Sequence, residues 1–137
     1  MKIKLIKPKT ISEKDLRNFN YIYNYICGVH DHCVFPKTNS EYIWLIYNGR
    51  RVVGFGILNV TETTGTLERA GILKSHRGKG LHHRLIRCRV NYGRRLKLKR
   101  CKTYVVPGNL ISLHNLIAEG FRVKDDSSIY RLEKTLT

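Results

Sequence analysis

Hydrophobic and polar positions alternate at the start of the chain. Ile3 and Leu5 stand between Lys2, Lys4 and Lys7, which predicts a short strand closed by Pro8. The period then changes to steps of three and four at Leu16, Phe19, Tyr23 and Ile26, the mark of an amphipathic helix, with Ser12 and Asp15 spaced as in a capping box. A polar, loop-like stretch covers 28–40. Glu41 to Tyr47 is then a continuous β-prone run, Asn48-Gly49 a hairpin turn, and Arg51 to Thr61 the returning strand. Thr63 to Gly65 reads as a second turn, leading to a strand from Leu67 to Leu73. From Gly80 the stripe Leu81, Leu85, Cys88, Tyr92 and Leu96 is helical, with Arg84, Arg87, Asn91, Arg94 and Arg95 mostly turned away; Gly93 in its middle points to close packing. Lys102 to Val106 is a strand ended by Pro107-Gly108. Asn109 caps a short helix carrying Leu110, Leu113, Leu116 and Ile117 and stopped by Gly120, and Phe121 to Val123 and Ile129 to Leu132 are two last strands. Without repeats, low-complexity tracts or an internal linker, this predicts one domain over 1–137.

Charge changes the picture more than composition does. The chain has 26 Lys+Arg against 10 Asp+Glu, a net charge of +16, and no acidic residue between Glu68 and Glu119, where thirteen cations lie. Such a field attracts a phosphorylated cofactor, an acidic protein surface or nucleic acid; a solvated basic helix face is the plainer alternative. No apolar run has the roughly 18 residues of a membrane span, and MKIKLIKPKT is no signal peptide, so the expectation is a soluble cytoplasmic protein with no membrane partner. Cys27, Cys33, Cys88 and Cys101 are too sparse for a disulfide scaffold and are expected as thiols.

Between the Leu67 strand and the Leu81 helix stands Arg77-Gly78-Lys79-Gly80. Glycines there let backbone N–H groups approach a ligand, and the helix N-terminus beyond carries unsatisfied donors, the physics of a phosphate cradle. Two other phosphate loops are excluded: no Walker run occurs, and GxGxxG fails because His83 stands at the third glycine position.

Four motifs in register resemble the GNAT superfamily of acetyl-CoA-dependent N-acetyltransferases, across nearly the whole chain. Asn48-Gly49 with Val52-Val53-Gly54-Phe55-Gly56 is similar to the family's hairpin. Ile72 to Gly80 resembles its central acetyl-CoA motif. Asn109 to Phe121 matches its Asn-x-x-Ala/Ser helix ending in Gly-Phe, and Asp125 to Leu136 resembles its closing hairpin. The resemblance implies an α/β (α+β) fold: a mixed, mostly antiparallel sheet with helices on both faces and two central strands splayed around acetyl-CoA. Departures are Lys74 for the consensus proline, His82 where a small residue usually ends the loop and where a side chain fits if it points to solvent, and Leu116 where many members place a tyrosine acid.

The implied chemistry is direct attack of an amine on the thioester in a ternary complex, with no enzyme nucleophile and no metal. On this basis Ile72, Leu73, Lys74, Arg77, Gly78, Lys79, Gly80, Leu81, His82, Asn109 and Ser112 are the cofactor-binding candidates. A backbone N–H near Ile72 or Leu73, freed by a bulge, is the oxyanion donor. Glu68, four residues before Ile72 on the same strand face, is the candidate base, with a structural carboxylate paired to Arg69 or another cation as the alternative; His30, His32, Tyr104 and His114 are lesser candidates. Cys27, His30, His32 and Cys33 have zinc-ligand residue types but lack a second knuckle, and the two histidines fit the acceptor side better. The acceptor is a primary amine: a protein amine, an aminoacyl-tRNA amine and a polyamine stay open, with the surplus charge favouring a large anionic partner, RNA or ribonucleoprotein first and protein next. The competing class is a catalytically weak nucleic-acid-binding module that keeps the fold.

Overall fold

The computed structural model describes residues 1–28 and 39–137. Its elements are β1 (Lys2–Ile6), α1 (Glu13–Cys27), β2 (Glu41–Asn48), β3 (Arg51–Thr61), β4 (Thr64–Ile72), α2 (Leu81–Arg95), β5 (Arg100–Val105), α3 (Leu110–Ala118), β6 (Arg122–Asp125) and β7 (Tyr130–Thr135). Seven strands form one sheet in the order β1-β2-β3-β4-β5-β7-β6, antiparallel except for the β4–β5 pair. This is the mixed, mostly antiparallel sheet with helices on both faces. No helix among the described residues is long and apolar enough to cross a membrane.

Local chemistry sets the start of α1: the Ser12 hydroxyl accepts from the Asp15 N–H at 3.1 Å. Phe19, Ile22 and Tyr23 then pack on one face of the sheet, with Phe19 edge-on to Phe55 of β3 at 5.8 Å between ring centroids. The opposite face is covered by α2, whose buried line is Leu81, Leu85, Ile86, Arg89, Val90 and Gly93. That line is rotated from the expected stripe: Leu96 is 36% exposed, and Cys88 and Tyr92 are only half-buried. The reason is that Ile86 and Val90 take the centre of the interface, and Arg89 turns inward with them.

The turn expected at Thr63 to Gly65 is tighter and earlier. Glu62 adopts φ 55° and β4 begins at Thr64, so Gly65 lies within the strand, where a Cβ would come within 3.0 Å of Leu58 and Leu98. Here glycine serves packing rather than turning.

Two irregularities in β4 open a cleft in the sheet. Gly56 pairs with Ala70 but Leu58 with Leu67, so Glu68 and Arg69 together oppose Ile57 in a β-bulge. On its other edge β4 pairs with β5 only from Thr64 to Leu67. Beyond Leu67 the two strands part, and the Thr103 hydroxyl closes the ladder by donating to the Leu67 carbonyl at 2.8 Å.

Candidate active site

Two cavities meet where β4 and β5 separate. One, of about 630 Å³, lies against the α2 N-terminus, lined by Ile72, Arg77, Gly78, Gly80, Leu81 and His82 together with Asn109, Ile111 and Asn115 around α3. The other, of about 420 Å³, is lined by Glu68, Arg69 and Tyr104, by His82, Ile86 and Arg89 of α2, and by Leu116 of α3. Ala70, His82, Asn109 and Ser112 belong to both.

The first cavity has the donors of an anion cradle. Gly78 and Gly80 hold φ of 77° and 75°, and a Cβ at either would meet nothing within 4 Å, so glycine is needed for its backbone conformation. The first bond back to the loop is Arg84 N–H to the Gly80 carbonyl, which leaves the earlier amides of α2 for a ligand. Arg77, exposed, folds back along the loop with its Nε donating to the Ile72 carbonyl at 3.0 Å. His76, buried, anchors the loop from behind: its Nε2 lies 3.2 Å from the Asn48 amide and its Nδ1 2.8 Å from the Ser75 hydroxyl. The far wall is tied to α2 through Glu119, whose carboxylate meets His83 at 2.9 Å and Arg87 at 3.5 Å, while Lys134 donates to its carbonyl. Burial would raise the Glu119 pKa, but the hydrogen bond from His83 and the charges of Arg87 and Lys134 hold it below the usual carboxylate range.

Along β4, the Leu73 N–H donates to the Val53 carbonyl at 2.8 Å. Alternation in the antiparallel pair then turns the N–H and C=O groups of Ile72 and Ala70 away from β3, towards the opening. Of the two expected oxyanion donors, Leu73 is therefore engaged and Ile72 faces the cleft. Ala70, unnoticed in the sequence, faces it too.

The bulge overturns another expectation. Glu68 and Ile72 do not share a strand face, because the extra residue shifts the parity of the alternation. Gly56, which pairs with Ala70, would place a Cβ 3.3 Å from Arg89 of α2, so Ala70 and Ile72 face α2. Arg69 instead donates to the Tyr23 hydroxyl of α1 at 3.1 Å, and the Asn59 amide donates to Glu68 Oε1 at 3.0 Å. Glu68 thus stands on the α1 face, across the sheet from the loop, with Asn59 as its hydrogen-bond partner.

His82 is a correction as well. It points into the junction of the two cavities rather than to solvent, since Leu81 and Leu85 seat the first turn of α2 on the sheet and carry position 82 to the cleft side. Burial, then the charges of Arg89 and His83, lower its pKa to about 4, so the imidazole is neutral at physiological pH.

Leu73, Lys74 and Lys79 line neither cavity, and His114 lies exposed on α3. His30, His32 and Cys33 lie outside the described residues. Among the described residues no three His, Cys, Asp or Glu side chains are grouped to hold a metal ion. Sequence reasoning missed Ala70, His76 and the inward turn of Arg89. Only the last left a signal, in the flanking Ile86 and Val90.

The family model of the acetyltransferase (GNAT) family matches residues 10–121. The chain belongs to that family. Among solved structures, the ribosomal-protein-S18-alanine N-acetyltransferase of Escherichia coli superposes with a TM-score of 0.78 at 10% identity, over 99% of this chain and 95% of its own. The PaiA N-acetyltransferase of Thermoplasma acidophilum, in complex with coenzyme A, gives 0.75 at 17% identity, over 98% and 99%. A putative acyl-CoA N-acyltransferase of Klebsiella pneumoniae gives 0.76 at 15%, over 99% and 97%. At these identities the likeness is one of fold. No curated protein matches the chain in sequence. As a GNAT acetyltransferase the protein is an acyltransferase, and acetyl-CoA is the acyl donor of its family. The first cavity fits such a donor: a glycine-opened helix N-terminus for a pyrophosphate, and free strand-edge amides for an amide-bearing arm.

Proposed function

We propose that this GNAT protein, a single catalytic domain over 1–137 working in the cytoplasm, acetylates a primary amine presented by RNA or a ribonucleoprotein. One observation carries the transfer reading: the opening between β4 and β5 passes through the sheet, with the glycine loop on the α2 face and Glu68 on the α1 face. When bound, acetyl-CoA supplies an activated acyl group. Gly78, Gly80, Arg77 and the first amides of α2 hold its phosphates. The N–H groups of Ala70 and Ile72 line its path and are the donors for the carbonyl oxygen as negative charge develops there. Glu68, reached from the opposite face, takes the amine proton, directly or through water.

The acceptor class follows from how the cations are distributed. Arg89 is buried, Arg77 is turned onto the Ile72 carbonyl, and Arg87 meets Glu119. Arg94, Arg95, Lys97, Lys99 and Arg100 are exposed at the other end of α2, about 22 Å from the loop by helix rise. They make no ion pair among the described residues. Too far to serve the donor, they form a pole fitted to a polyanion.

Thiol release from acetyl-CoA, measured with RNA-linked, protein and small amine acceptors, tests this reading. The variant with Arg94, Arg95, Lys97 and Lys99 all changed to Gln should lose activity on the RNA-linked acceptor and flatten its salt dependence while binding acetyl-CoA normally. Full activity of that variant at every salt concentration would reduce the pole to a solvated face. RNA binding without thiol release from any amine would favour a binding module instead.

A further inference from the structure

Arg89 is 2% exposed and has no carboxylate partner. Its Nε donates to the Leu85 carbonyl at 3.2 Å, and its Nη1 to the carbonyls of Ile57 and Glu68, both at 3.1 Å. Those last two acceptors belong to residues that face each other at the bulge, one on β3 and one on β4, so the guanidinium bridges the two strands at the irregularity that sets the parity of β4. Gly56 makes room for it. The remaining amino group, Nη2, makes no hydrogen bond within the protein, yet no buried side-chain nitrogen of the described residues is left unsatisfied. Nη2 therefore meets open space, and the open space against Arg89 is the smaller cavity.

A cation without a counter-ion is costly to bury, and a folded chain keeps one where an anion completes it. Resting on the acetyl-CoA reading of the cavities, we infer that Arg89 stabilises the CoA thiolate as it leaves. In the step itself, the amine nitrogen bonds to the acyl carbon, the C–S bond breaks, the sulfur departs with the electron pair, and the amine proton goes to Glu68. Sulfur then leaves as an anion beside a buried guanidinium, whose attraction is stronger than that of a cation in open water. The other groups facing this cavity supply little competing charge. Glu68 and Arg69 of β4 lie on the far face, Tyr104 of β5 is half exposed, His82 is uncharged, and α3 contributes Asn109, Ser112 and Leu116. Burial lowers the Arg89 pKa only to about 10, so the charge is present throughout the working range.

The test needs no turnover. With free CoA bound to the intact protein, the ultraviolet absorbance of the thiolate is titrated against pH. The bound thiol should titrate at least one unit below the value of about 8.5 for a free thiol. In Arg89→Met it should return to that value or above it, and Arg89→Lys should fall between. A wild-type bound thiol titrating at or above the free value overturns the assignment without any variant, so a misfolded Arg89→Met does not shield it. An unchanged bound-thiol titration in a folded Arg89→Met overturns it too. A preference of tenfold or more for succinyl-CoA over acetyl-CoA, lost in Arg89→Met, would overturn it by giving the cation to a carboxylate on the acyl chain. If calorimetry finds no CoA binding at all, it is the acetyl-CoA reading of the cavities that fails.

Discussion

Asp15 and Arg89 are both buried charges, 5% and 2% exposed, on opposite faces of one sheet, and they are treated in opposite ways. Asp15 is surrounded by partners: Lys4 Nζ at 2.8 Å, the Tyr47 hydroxyl at 3.1 Å, and behind that hydroxyl the Asn18 amide at 2.8 Å. Burial alone would raise its pKa, but the bonds from Lys4, Tyr47 and Ser12 prevail and hold it below the usual value. This corner of β1, α1 and β2 is closed. Arg89 has three carbonyl acceptors, no carboxylate, and one amino group facing a cavity. A fully partnered buried charge fixes how elements pack, whereas an incompletely partnered one beside a cleft is held ready for a ligand.

If the cleft's polar groups serve chemistry and the corner's serve folding, the sharpest separation should come from Glu68→Gln. The amide keeps the oxygen that accepts from Asn59, so stability should hold. Turnover should fall by a factor of about 100 at neutral pH and recover in part as the free amine becomes abundant. Rate profiles that match wild type across pH would return Glu68 to a structural role.

Asp15→Ala should do the reverse, costing about 2 kcal/mol of folding stability by stranding the Tyr47 and Lys4 donors, while activity per folded molecule is unchanged. Because the folded-state pKa of Asp15 lies below its unfolded value, its contribution is present above about pH 4 and is lost as pH falls through the folded pKa. Denaturant midpoints of wild type and variant should therefore converge in acid. A constant gap down to low pH would mean that the carboxylate's charge is irrelevant there.

The finest comparison is Gly56→Ala, whose Cβ would lie 3.3 Å from Arg89 Nε and 3.4 Å from Leu85. A guanidinium shifted by a few tenths of an ångström should lower turnover by a factor of about 3 to 10, with CoA affinity nearly intact. Unaltered turnover in a folded variant would show that the position of Arg89 is not demanding.

Much of the fold was legible locally. Ser12 with Asp15, Asn48-Gly49, Asn109 and Gly120 are caps and turns that act within a few residues, and they mark where α1, the first hairpin and α3 begin and end. The loop from Arg77 to Gly80 was readable for the same reason, because a positive φ is a property of single residues. Position on a face was not. Period-2 counting put Glu68 on the same face as Ile72, and one extra residue at the bulge reversed it; helical counting left Arg89 off the apolar stripe, and it lies buried with Ile86 and Val90. A bulge is set by pairing with β3, and the inward turn of a helix residue by the surface it meets. The chain by itself determined which elements form and where the glycine-opened loop stands before α2. Only the tertiary structure decided which charges face the opening between β4 and β5, because that depends on contacts between residues some twenty to thirty positions apart, such as Arg89 with Glu68 and Ile57.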